Sequence, residues 1–331
     1  MTGSAGARRG PSASRSLPAA VALALLLSVP LAFLASGPAG AQPGPGVSRE
    51  PSADAASGAR PLRVISLFAA HTEIILRLGG RAVLVGISEQ ETYGGPETEG
   101  WERPPTFSVK EDVEKYLSFR PDLILVRPQH LNAASNLFET LQASGIRVWS
   151  RQITEADGLY GYWRELGALI GRSAEAERMT EEFRSALARF EGNLTMPGRP
   201  GVFLESVHRE IKTFTPDSIP AWILGYAGGR NVASDAAPSR AGYIVANYGP
   251  ERLLSRAPEV EVYLSQEGPM NHAPLSEITG RDIFRTLPAV RDGRVYKVPE
   301  PLISRPTPSL LEGRRYMESC IRDGKPPEGL N

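Results

Sequence analysis

The side chains best suited to chemistry in this 331-residue sequence are four histidines, His71, His130, His208 and His272. A neutral imidazole is a good ligand for iron, cobalt, nickel or zinc. All four stand in predicted loops at the ends of short apolar runs, which is where an open α/β sheet places its ligands. The pattern points to metal capture, with His71 as first candidate, His208 as second, and His130 and His272 behind them. The plain alternative for each is loop polarity, and for His71 a polar residue near a helix start. Three or four of these rings converging on one bare ion is a separate reading, in which the protein supplies the ligands itself. Catalysis has less support. The sequence holds no Gly-x-Ser-x-Gly elbow, no Gly-x-Gly-x-x-Gly turn after a strand and no His-Glu-x-x-His. An exported α/β enzyme is therefore the weakest of the three readings.

The elements that must position these residues follow from periodicity. Val64 to Phe68 is a short apolar run suited to a strand buried on both faces. A small-residue turn carries His71, and Ile74, Ile75 and Leu78 then keep a helical spacing up to Gly79. Ala82 to Ile87 is a second buried strand, followed by a polar loop centred on Tyr93. Pro121 to Val126 is a third, and it delivers Arg127, Gln129 and His130. A helix over 133–144 and a strand over 146–149 complete a β-α-β run. Alternation of this kind predicts a mostly parallel sheet covered on both faces. Two longer helices follow, Glu155 to Ile170 and Ser173 to Glu191, the second with apolar residues three and four apart. The second half repeats the first in outline. Strands over 201–206, 260–265 and 295–298 end beside His208 and Arg209, beside Met270, Asn271 and His272, and before Arg305. Two comparable lobes would face each other across a cleft.

Residues 1–41 read as a secretory signal, with Arg8, Arg9 and Arg15 before the apolar stretch Leu17 to Leu34 and a small-x-small site at Ala39 to Ala41. No cysteine stands at that site, which argues against lipid attachment. Residues 42–60 form a Gly-, Pro- and Ser-rich leader. The chain has 37 basic and 37 acidic side chains, so no net charge draws it to nucleic acid or an anionic membrane. Its lone Cys320 makes neither an internal disulfide nor a zinc cluster. Export with a large core and no disulfides suits a bacterial periplasm.

In that order the pieces resemble a known family, the periplasmic binding proteins of ABC importers for iron-siderophores, haem and cobalamin. The resemblance is carried by Arg63-Val-Ile-Ser-Leu with Thr72-Glu73 and Leu78-Gly79, and by Val113 to Phe119 leading into Arg120-Pro121-Asp122. Gly228-Gly229-Arg230-Asn231-Val232 and Glu251 to Pro258 follow in place. It covers nearly all of residues 61–320. It implies a class III binding protein: two Rossmann-like α/β lobes, 61–172 and 193–331, with mostly parallel sheets joined by a single long helix over 173–192. It also implies a permease and an ATPase subunit as partners, no catalysis, and only modest rocking of the lobes. In the family a glutamate on each lobe docks on the permease. Glu251 matches the second-lobe position; the first-lobe position falls near Ser135, a departure, with Glu139 one helical turn on. Monomer is the default state.

The resemblance makes the cargo a metal chelate, with cobalamin and ferric siderophore as the leading pair and haem next. Tyr93, Phe107 and Trp222 are candidate aromatic walls, or core. Arg127, Arg209, Lys212 and Arg305 could pair with an anionic chelate, or be solvated surface charges. For haem or a corrinoid, one histidine would serve as an axial ligand.

Overall fold

The computed structural model describes residues 60–240 and 242–328. The predicted signal segment and most of the leader lie outside the described residues. Among the described residues no helix is long and apolar enough to cross a membrane.

Two sheets organise the chain. The first contains β1 (Val64–Ser66), β2 (Leu84–Ser88), β3 (Thr106–Phe107), β4 (Leu123–Val126) and β5 (Arg147–Ser150). Their order is β3-β2-β1-β4-β5 and every pairing is parallel. Around this sheet run α1 (Ala69–Arg77), α2 (Val113–Ser118), α3 (Pro128–Ala133) and α4 (Ser135–Ala143). β1 and β4 are buried along their whole length, which is why they read in sequence as unbroken apolar runs.

Three helices lead out of the first sheet: α5 (Leu159–Leu169), α6 (Ser173–Ala188) and α7 (Gly192–Thr195). α6 is the long joining helix, about 24 Å for its sixteen residues. It buries Ala176, Thr180, Phe183 and Leu187, a spacing of four, three and four that makes one face. The second sheet contains β6 (Gly201–Val207), β7 (Lys212–Phe214), β8 (Arg230–Asn231), β9 (Val245–Asn247), β10 (Val262–Glu267) and β11 (Val295–Pro299). Its order is β11-β10-β6-β7-β9, with β8 beside the start of β6. β6, β10 and β11 are parallel, and β7 runs antiparallel to both β6 and β9. The remaining helices are α8 (Ile219–Tyr226), α9 (Pro250–Ser255), α10 (Leu275–Thr279), α11 (Pro288–Arg291), α12 (Glu300–Ile303) and α13 (Leu310–Arg322).

The two lobes share a core. One apolar cluster runs from Val64 and Ile75 through Trp163 and Phe183 to Leu204, Leu264 and Met317. Two further clusters cover the outer faces, one around Phe107 and Tyr116 and one around Phe203 and Phe284. β3, β7 and β8 were not expected from the sequence; they are two or three residues long, too short to show a period. α1 begins at Ala69, not after His71, because only Leu67 and the extended N-cap Phe68 separate it from β1. That shift of three residues turns His71 inward.

Candidate functional site

Segments that follow parallel strands of the two sheets meet one another. Arg305, beyond the end of β11, donates from Nη2 to Thr92 Oγ1, beyond the end of β2, at 3.0 Å. The gap between these strand ends is the candidate ligand cleft.

On the first lobe the strand order reverses between β1 and β4, the place where doubly wound sheets hold ligands. Phe68 follows β1 and Arg127 follows β4. The Arg127 guanidinium lies 4.6 Å above the Phe68 ring, a cation–π stack that keeps it flat and aimed. No described residue reaches its buried Nε. Burial holds this guanidinium below its ordinary value; Glu300 across the cleft opposes that shift and Arg305 adds to it. His130, in the first turn of α3, takes a backbone hydrogen bond from Arg127 N on Nδ1 at 3.4 Å. Burial first, and then the Arg127 charge, lower its pKa to about 4.

On the second lobe Arg305 is 6% exposed. It also donates to Glu300 Oε2 at 3.2 Å, and its Nη1 has no partner among the described residues. Glu91, in the loop after β2, accepts from Tyr93 N at 2.8 Å and leaves Oε2 unpartnered. Burial raises its pKa, against the pull of Tyr93 N–H, Thr72 and Arg305. The hydroxyls of Ser150 and Thr307 are likewise buried without partners. Arg127, Arg305, Glu91, Ser150 and Thr307 thus each bury a polar atom whose hydrogen-bonding capacity no described residue uses.

The other expected contacts lie elsewhere. His71 is wholly buried, boxed by Phe68, Trp149 and Tyr162 at ring distances of 5.1, 5.4 and 5.8 Å. Its Nε2 meets the Arg151 carbonyl at 3.1 Å, which places the proton there. Phe107 is 1% exposed and packs with Tyr116 and Phe119 in the outer core of the first lobe, so it walls no cleft. Tyr93 is turned into the shared core under Arg77, and its hydroxyl donates to the Glu97 carboxylate. His208 is 1% exposed; its Nδ1 stands 2.8 Å from Glu205 Oε1, which also accepts from Tyr263 at 2.6 Å. Trp222 is half-buried on α8, edge-on to Tyr226. Arg209 and His272 are exposed beyond the ends of β6 and β10. Lys212 pairs with Glu210 at 2.6 Å. Glu251, in the first turn of α9, and Glu139, on α4, are both exposed.

The histidines do not converge. Among the described residues no group of three or more His, Cys, Asp or Glu side chains is placed to hold a metal ion. The reading of a bare ion held by several imidazoles therefore fails on geometry: His71 and His208 are folded into different lobes and His272 points to solvent. Glu91, Glu300, Ser150 and Thr307 were not anticipated, although Ser150 ends β5 and Glu91 and Glu300 follow β2 and β11, the same signal that picked out Arg127. A groove of about 220 Å³ lies instead along α6, walled by Tyr160, Arg184, Leu187 and Tyr226. Arg184 there pairs with Glu181 of its own helix at 3.4 Å.

The periplasmic binding protein family matches residues 64–302 of the chain. An uncharacterized ABC transporter substrate-binding lipoprotein of Bacillus subtilis is 25% identical over 266 residues, covering 79% of this chain and 80% of that protein. A vitamin B12-binding protein of Vibrio parahaemolyticus is 25% identical over 265 residues, covering 78% and 90%. A solved structure of a possible iron-binding, periplasmic solute-binding protein from Staphylococcus epidermidis superposes with a TM-score of 0.67 at 24% identity, covering 78% of this chain and 98% of that one. A periplasmic heme-binding protein from Roseiflexus does so with a TM-score of 0.64 at 19% identity, covering 80% and 99%. At these identities the structural likenesses establish the fold.

Proposed function

The chain belongs to the periplasmic binding protein family, and from that premise we propose that it captures a metal chelate between its lobes and delivers it to an ABC permease. The observation that carries the choice of cargo is the pair of guanidinium edges, Arg127 Nε and Arg305 Nη1, that meet no described partner in one cleft. A donor withdrawn from water without an acceptor is costly, and a ligand that supplies the missing acceptor recovers that cost. Arginine fits planar anions best, through two parallel hydrogen bonds. A chelate with acidic groups on its periphery, such as a ferric siderophore, fits this arrangement. Anchoring through the periphery also suits a cleft whose best-placed histidines are buried. Cobalamin is the second reading, favoured by similarity to a vitamin B12-binding protein.

Delivery would use exposed carboxylates on the outer helices, Glu251 on α9 and Glu139 on α4. An extracytoplasmic site of action, in the periplasm, follows from the same reading, with the permease and its ATPase as partners.

Fluorescence quenching of the purified protein, titrated with ferric siderophores, haemin, cobalamin and free metal ions, tests the reading. Saturation at one equivalent with an anionic ferric chelate is expected. Arg127→Gln should then weaken binding by about tenfold to a hundredfold, the worth of one or two charge-assisted hydrogen bonds. Saturation with cobalamin alone, unchanged by Arg127→Gln, would replace the acidic cargo by the second reading.

A further inference from the structure

The loop after β10 carries a feature at the cleft that the arginines do not use. Gly268 and Asn271 exchange backbone hydrogen bonds of 3.2 and 2.9 Å, closing a tight turn with Pro269 and Met270 at its tip. Asn271, 3% exposed, fastens that turn. Its Nδ2 donates to Ser265 Oγ at 3.1 Å and to the Gln266 carbonyl at 2.7 Å, and its Oδ1 accepts from His208 N at 3.0 Å. The turn is thereby tied to the ends of both β10 and β6, the junction where the second sheet reverses its order.

Its other flank leans on the cleft cluster. A Cβ built on Gly268 would stand 2.6 Å from Glu300 Cβ, so no side chain fits at that position. Glu300 is the carboxylate that accepts from Arg305 and whose charge is felt by Arg127. The turn therefore packs directly on the Glu300–Arg305 pair at the strand ends. At its tip Met270 is 62% exposed, more than any other large apolar side chain described. An exposed methionine alone says nothing, since single apolar side chains on a surface are ordinary. Here it stands on a turn held by three side-chain hydrogen bonds, at a strand-end junction, beside the cleft. Rigid scaffolds of this kind are where loops carry binding groups.

We propose that Met270 is the second lobe's apolar contact with the transported solute, and that Asn271 is the residue that positions it. The proposal rests on the cleft reading above and narrows its cargo. A thioether is polarizable and packs well against flat unsaturated faces. The solute would then combine an acidic group, for Arg127, with an aromatic or macrocyclic face, for Met270. A small ferric chelate lacking such a face, ferric citrate for example, gains nothing from Met270.

The test uses the full mature chain carrying methyl-labelled methionine, observed by NMR while tryptophan fluorescence follows binding. The probes are a ferric tris-catecholate, haemin, cobalamin and ferric citrate. With a saturating probe that has a flat face, the Met270 methyl signal should shift or broaden, while Met196, 45% exposed at the end of α7, stays sharp. Met270→Ala should weaken that probe about tenfold and leave ferric citrate unchanged. Asn271→Ala should weaken it as well, and the double substitution should be no worse than Met270→Ala alone, since Asn271 acts through Met270. Binding with an unperturbed Met270 methyl, or equal losses for all probes, would overturn the proposal while leaving the cleft reading intact. No binding of any probe by the unaltered protein would overturn both.

Discussion

Burial decides which polar side chains are free to serve a ligand, and His71 shows it most clearly. Its imidazole is enclosed by three aromatic rings, and burial, more than the Arg127 and His130 charges, lowers its pKa from 6.5 to about 3 against the pull of the Arg151 carbonyl. The folded chain keeps this ring neutral, whereas the unfolded chain protonates it below about 6.5. Between those values the unfolded state binds more protons, so stability must fall as the pH drops from about 6.5 toward about 3. The slope from this one group approaches about 1.4 kcal/mol per pH unit. His130, lowered to about 4, acts in the same direction with a smaller span. Urea midpoints measured at pH 7, 5.5 and 4.5 should decline, and His71→Phe should flatten the decline. An unchanged slope in His71→Phe would mean that the ring is hydrated in the native state. His71 thus belongs to the stability of the first lobe, and its removal should cost folding energy before it costs ligand.

At the scale of elements, the chain is set by close approaches that leave no room for a side chain. Gly313 in α13 lies against α12 so tightly that a Cβ there would fall 2.0 Å from the Leu302 carbonyl oxygen, a backbone atom that cannot swing aside. Gly313→Ala should therefore push the two helices apart, at about 1–3 kcal/mol. That corresponds to a melting point lower by roughly 2–4 °C per kcal/mol for a domain of this size. A melting point equal to the unaltered protein's would show that α12 is loosely held. The same closeness explains what could and could not be read from sequence. Strands such as β4, buried on both faces, announce themselves as continuous apolar runs, and α6 announces itself through Ala176, Phe183 and Leu187. The position of Arg127 and Arg305 after strands was legible for the same reason. Which way a residue points was not. His71 and His208 also follow strands, yet a helix that starts three residues early and a buried carboxylate at Glu205 turn them inward. Phe107 reads equally as wall or core in sequence because β3 is two residues long and carries no alternation, and the fold makes it core. Glu91 and Glu300 look like solvated acids in sequence; only the fold brings them to Arg305.

The whole molecule is held by more than its joining helix. Ser309, just before α13, donates from Oγ to Glu73 Oε1 of the first lobe at 2.6 Å, and Arg77 donates to both, at 3.0 Å to Glu73 and 2.9 Å to Ser309. Glu73 is 1% exposed, so this triad sits in a dry part of the interlobe seam. Trp163 Nε1 adds a buried bond to the Pro306 carbonyl at 2.8 Å, and Ile219 N donates to the Thr154 carbonyl at 3.1 Å. With an apolar cluster common to both lobes, these ties would have to break for a wide hinge closure, and they oppose it. The segment 304–312 acts as the fastening, and Arg305 and Thr307 at the cleft belong to it, so mobility there should reach the ligand. Glu73→Gln removes the charge that holds Arg77 while keeping nearly the same volume. It should cost about 1–3 kcal/mol in urea unfolding, the penalty for under-satisfied buried donors. Amide hydrogen exchange should quicken in 304–312 and in the first turn of α1, with the outer cluster around Phe203 and Phe284 unaffected. A ligand that needs the lobes registered should leave faster, because the competent arrangement is less populated. Unaltered exchange across 304–312 in Glu73→Gln would assign the fastening to the shared apolar core and Trp163 alone, and the release rate should then stay where it was.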